Sequence, residues 1–131
     1  MYRSLAALHV NASAGRQTVR WLKSGRGTKA LESAIAMQRA LAARNESAEE
    51  PILVRVGMNA GEPIAEDEDL FGTAVIRAAR IAAEAKGGEI LVSNVVRELA
   101  EGKQFLFTDR GEVALKGFDE PVRLYEVRWR D

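Results

Sequence analysis

The apolar pattern changes period within a few residues, and this limits the chain to a narrow set of folds. Residues 30–44, ALESAIAMQRALAAR, put Leu31, Ala34, Ile35, Gln38, Leu41 and Ala42 at i, i+3, i+4 and i+7 spacing, five of the six apolar. That is the stripe of a helix lying on a core. Residues 52–58, ILVRVGM, place Ile52, Val54, Val56 and Met58 on alternate positions, the period of a strand with one buried face. A chain of 131 residues that holds both has the size of one domain. Its fold class is α/β or α+β, a mixed sheet with packed helices.

The remaining elements follow from the same signals. Leu5–Val10 and Thr18–Lys23 read as two short strands joined across Asn11–Arg16. Thr28 is placed to cap the first helix, with Glu32 suiting its positive end. Asn45–Glu50 is a polar, acidic loop, and Asn59-Ala60-Gly61 has turn composition. Glu66-Asp67-Glu68-Asp69 reads as a charged loop before a second helix, Gly72–Ala85, with Val75, Ala78, Ala79 and Ala82 inward. Gly87-Gly88 ends that helix. A strand at 89–93, a short helix at 94–100 capped by Ser93 or Asn94, and strands at 105–108, 113–115 and 122–129 complete the chain.

Composition removes several chemistries. There is no cysteine and a single histidine, His9, so disulfides, thiol catalysis, zinc fingers and His-rich metal sites are excluded. His9 lies far in sequence from any candidate nucleophile, which leaves a Ser–His–Asp triad without support. No apolar run reaches the roughly 18 residues of a membrane span, and no secretory signal is evident; the expected setting is cytoplasmic, with no membrane partner. The net charge is zero but unevenly spread. Residues 1–29 hold six basic residues and no acidic one, leaving a −6 remainder. The expected organisation is therefore an atypical basic segment, 1–29, ahead of a body, 30–131. Such an arm could engage nucleic acid, with Trp21 and Tyr2 stacking on bases, although the acidic body weakens attraction to phosphate.

Three local constellations could carry chemistry. Gly25-Arg26-Gly27-Thr28-Lys29 opens a helix with free amides and two cations, but lacks the Walker spacing. It reads more simply as a glycine linker with a capping threonine. The acidic run Glu66–Asp69 could meet a hard cation, and reads more simply as a solvated turn. Arg77, Arg80 and Glu84 share one helix; Arg80 and Glu84 are i, i+4, the spacing of a surface ion pair. An arginine facing a cleft would equally stabilise phosphate charge.

Residues 30–131 carry a series of segments, AIAMQRALA, VRVGMNAGEPI, DLFGTAVIRAARIA, GGEILVS and ALKGFDEPVRLYEVRW. In that order they resemble the C-terminal two-thirds of the catalytic domain of class III nucleotidyl cyclases, the adenylate and guanylate cyclase family. The resemblance implies a ferredoxin-like cyclase homology domain, N-terminally truncated. It also implies roles. Asp69 matches the Asp that contacts the purine and leans toward adenine. Arg80 matches the arginine that holds the triphosphate in the transition state, and Lys116 matches the lysine that reaches the phosphates. The family's Asn one turn before that arginine corresponds to Ile76.

The family's two metal-binding Asp residues, in FTDI-like and GDG motifs, have no counterpart; Ser24 stands where the second would be. The resemblance thus implies a cyclase-like domain that is catalytically inactive, with no metal site. It would act as a nucleotide-binding or dimerising remnant that pairs with a second copy or with an intact cyclase domain in signal transduction. The alternative is an active cyclase making cAMP from ATP with Mg²⁺ or Mn²⁺ held by ligands such as Asp67 or Glu68. A third reading is a nucleic-acid or protein binding module that uses the basic arm.

Overall fold

The computed structural model describes residues 5–12, 17–22, 27–61, 68–100 and 102–130, with side chains described for 7–10, 28–60, 74–100 and 102–130. The elements in chain order are β1 (Leu5–Ala12), β2 (Gln17–Leu22), α1 (Gly27–Asn45), β3 (Val54–Gly61), α2 (Glu68–Glu84), β4 (Ile90–Ser93), α3 (Asn94–Leu99), β5 (Leu106–Val113) and β6 (Val122–Arg128). One mixed sheet runs β2-β1-β3-β4-β6-β5. Only β3 and β4 pair in parallel; every other neighbour is antiparallel. The α+β class expected from the two periods is the class observed.

Alternation along β3 assigns the helices to faces. Val54, Val56, Met58 and Ala60 point to the cluster that holds Ala30, Leu31 and Ala34 of α1, Val96 of α3, and Val127 and Trp129. The residues between them, Gly57 and Asn59, point to α2. Helix α2 lays Ile81 and Ala85 against Leu91 of β4, Leu124 of β6 and Leu115. The sheet thus lies between α1 and α3 on one side and α2 on the other, each face burying apolar area at roughly 25 cal/mol per Å².

Helix α1 buries the expected stripe, and its one polar member is explained. Gln38 is 2 % exposed and donates from Nε2 to the carbonyl oxygens of Val54 (3.0 Å) and Glu89 (3.2 Å). The side chain therefore ties α1 to the start of β3 and to the turn before β4.

Several boundaries differ from expectation. Thr28 is inside α1, which begins at Gly27, and is not its cap. Asn59-Ala60-Gly61 continues β3 through its pairing with Leu5–Ala7 of β1; turn composition is overridden because Asn59 finds a helix carbonyl. Helix α2 begins at Glu68, so Glu68 and Asp69 belong to its first turn, where carboxylates suit the helix dipole. Its buried stripe is Ala74, Ala78, Ile81, Ala82 and Ala85, with Val75 and Ala79 only half-buried. The two strands expected at 105–108 and 113–115 are one strand, β5, with a register irregularity between Asp109 and Glu112 and Gly111 at φ +80°. The cap of α3 is Ser93, which accepts from the Val96 amide, and the hairpin expected in the first 27 residues forms as β1–β2.

Candidate functional site

Arg77 and Arg80, singled out from sequence, lie three residues apart on α2. Arg80 is exposed there, and Ile76, one helical turn earlier, is 54 % exposed. The i, i+4 pair with Glu84 does not form: among the described residues the ion pairs are those of Arg110 with Glu89 and Glu126, and of Arg123 with Asp109 and Glu112. Arg80 therefore has no carboxylate partner among the described residues.

Lys116 lies in the turn after β5, which packs on α2 through its neighbours Leu115 and Phe118. The Phe118 amide donates to the Leu115 carbonyl at 3.1 Å, and Gly117 takes φ +89°, a conformation that suits glycine. Leu115 is buried in the cluster that holds Ile81 of α2. On the other flank the Arg77 guanidinium lies 4.8 Å over the centre of the Phe118 ring. Two contacts thus clamp the turn to α2 and leave Lys116 exposed at its tip. Asp69 is in the first turn of α2, and its side chain lies outside the described residues, as do Tyr2, Trp21, Ser24 and Asp67.

Helix α2 is itself held at close range. Asn59 is 2 % exposed and donates from Nδ2 to the Ala74 carbonyl at 3.3 Å. Gly57 admits the α2 backbone at Ala78 and Ala82. His9 stands opposite Gly57 in the β1–β3 register. It is buried, with Nδ1 lacking a hydrogen-bond partner, and burial holds its pKa below the ordinary 6.5. Arg77 was named from sequence only as a helix neighbour of Arg80, and Asn59 was not singled out as a site residue. The only signal for Asn59 was a polar residue in phase with Gly57 on the face opposite Val56 and Met58.

A mixed sheet with α2 packed at backbone range on one face and α1 and α3 on the other makes this an α+β domain. Residues 22–128 match the family model for the adenylate and guanylate cyclase catalytic domain, and the chain belongs to that family. A curated relative, "Putative adenylate cyclase 3" of Rhizobium meliloti (strain 1021), is 38% identical over 104 residues. That match covers 77% of this chain and spans only 18% of the relative's length. Among solved structures, an adenylate/guanylate cyclase/hydrolase from Silicibacter pomeroyi has a TM-score of 0.78 at 23% identity, with 97% of both chains covered. The adenylyl cyclase CyaB from P. aeruginosa has a TM-score of 0.79 at 18% identity, covering 98% of this chain and 95% of its own. These likenesses establish the fold.

Proposed function

We propose that this chain binds a purine nucleoside triphosphate at the outer side of α2 and forms the half of a paired cyclase site that supplies cations in place of metal ligands. The observation that carries this reading is Arg80, exposed and without an ion pair among the described residues, three residues after the Arg77 that packs on Phe118 of the turn bearing Lys116. Guanidinium and ammonium groups fixed next to a triphosphate neutralise its charge and stabilise charge that develops on it. Asp69, by family resemblance, accepts a hydrogen bond from the purine and favours adenine. Ile76 offers no hydrogen bond where the family carries Asn, so this half lacks one donor.

Class III cyclases use two carboxylate-bound Mg²⁺ or Mn²⁺ ions. The residues here do not fit such a pair. Residues 1–29 contain no carboxylate, and among the described residues no three of His, Asp and Glu come together. A magnesium site needs carboxylates in near-ideal octahedral placement. By itself the chain is therefore read as catalytically silent. Pairing with an intact cyclase domain would supply the missing ligands, which a second copy of this chain lacks as well. The acid-free segment 1–29 is read as a hairpin extension of a cyclase-like body, 30–131.

The test is made on the full chain. Calorimetric titration with ATP and GTP is run beside mass-spectrometric detection of cAMP and cGMP with Mn²⁺. The expected result is ATP binding weakened about tenfold by Arg80→Ala, about 1.4 kcal/mol, with no cyclic product above a heat-killed control. Product abolished by Arg80→Ala overturns the silent reading. Absence of any nucleotide binding overturns the site. A monomer by light scattering at micromolar concentration, with and without nucleotide, counts against self-pairing.

A further inference from the structure

Arg77 is the side chain on α2 that the site as described leaves unused. Its Nε is buried and has no hydrogen-bond partner, although a buried polar atom is satisfied in roughly nine cases of ten. Leaving a charged donor in that state costs free energy, so a function that completes it is a natural source of compensation. Its guanidinium carbon lies over the Phe118 ring, 4.8 Å from the centroid. A cation–π contact of this kind restrains the group and leaves its charge in place. Two carboxylates, Asp119 and Glu120, directly follow Phe118 in sequence, yet neither ion-pairs with Arg77 among the described residues. Arg110 and Arg123, by contrast, each engage two carboxylates.

Position gives this free cation its meaning. Arg77 lies three residues before Arg80 on α2, so the two are neighbours on the helix surface. Through Phe118 it also touches the turn whose tip is Lys116. Arg77 therefore neighbours Arg80 on the helix and contacts the turn that carries Lys116, and none of the three is neutralised by a described carboxylate.

We infer that Arg77 is a phosphate-binding residue of this site, one that reads the length of a polyphosphate chain by donating to a phosphate oxygen alongside Arg80 and Lys116. The inference rests on the nucleotide reading above and deepens it. Phe118 acts as the platform that holds the guanidinium in register, so a chain long enough to span from Arg80 to the Lys116 turn gains a further charge-assisted contact. A monophosphate held at Arg80 alone does not.

The test titrates adenosine, AMP, ATP and inorganic tripolyphosphate into the full-length wild type, Arg77→Met, Arg77→Lys and Arg80→Ala. Met keeps an unbranched apolar stem against Phe118 and removes the charge. The expected result is an about tenfold loss for ATP and tripolyphosphate in Arg77→Met, partial retention in Arg77→Lys, and adenosine affinity unchanged in both. Tripolyphosphate bound as tightly as ATP assigns the site to the phosphate chain alone, which still supports Arg77. ATP binding lost in Arg80→Ala and unchanged in Arg77→Met overturns the role of Arg77 and leaves the nucleotide reading standing. Equal loss for adenosine and ATP in Arg77→Met also overturns it, since that pattern marks a structural residue. No binding of any of the four probes to wild type removes the nucleotide reading and this inference together.

Discussion

A Cβ on Gly57 would lie 2.7 Å from the Cα of Ala82, with the nearest atoms all belonging to the α2 backbone. Helix and strand meet here without an intervening side chain. Because backbone cannot swing aside as a flexible side chain does, Gly57→Ala must push α2 off the sheet. Overpacking of this kind costs about 3 kcal/mol. The expected outcome is a lower urea midpoint, and ATP binding weakened together with stability, because Arg77 and Arg80 ride on the displaced helix. Normal stability in Gly57→Ala would mean that α2 sits further from β3 than described.

Gln38 joins α1 to two carbonyls that each have a second partner: Val54 O also accepts from Gly88 N, and Glu89 O from Val56 N. Gln38→Leu therefore strands neither carbonyl, and its cost is about 1 kcal/mol. Gln38→Glu turns a carboxylate toward two carbonyl oxygens in a buried site, and a buried unpaired charge is far more expensive. Denaturation at neutral pH is expected to rank wild type, Gln38→Leu and Gln38→Glu in falling order, with the second step the larger.

What could be read from sequence divides along physical lines. The face of α1 and the Ser93 cap were legible because periodicity and capping are local. The β1–β2 hairpin was legible as two alternating runs about a polar turn. The end of β3 was not: Asn59 and Gly61 are turn formers by composition, and only the Ala74 carbonyl and the pairing with β1 make them strand. Lys116 and Arg80 were assigned by family resemblance, whereas the contact of Arg77 with Phe118 joins residues forty-one apart in the chain. A side chain whose partner is that distant leaves no periodic signature.

His9 makes stability depend on pH. Burial holds its folded-state pKa below the unfolded value of 6.5, so the unfolded chain binds the proton more readily. The stabilising contribution is full above about pH 6.5 and is lost as pH falls from there through the lower folded-state pKa. In chemical denaturation at pH 7.5 and 5.5, wild type is expected to lose stability at the lower pH, and His9→Leu to lose less. The carboxylates are common to both proteins. An identical loss in the two would assign the pH dependence to groups other than His9.

Arg80 separates binding from folding. Its side chain is exposed and makes no ion pair among the described residues, so Arg80→Ala removes little that holds the fold. A surface change of this type shifts stability by less than about 0.5 kcal/mol. The same is expected for Lys116→Ala, since Lys116 stands at the tip of a turn anchored by Leu115 and Phe118 instead. Both variants should weaken ATP by a similar factor and leave adenosine unchanged. Wild-type affinity for ATP should itself fall as salt rises, because exposed charges are screened over about 8 Å at physiological ionic strength. A stability loss above about 1 kcal/mol in Arg80→Ala would show instead that the guanidinium is engaged in the fold, and its candidacy as a phosphate group would end there.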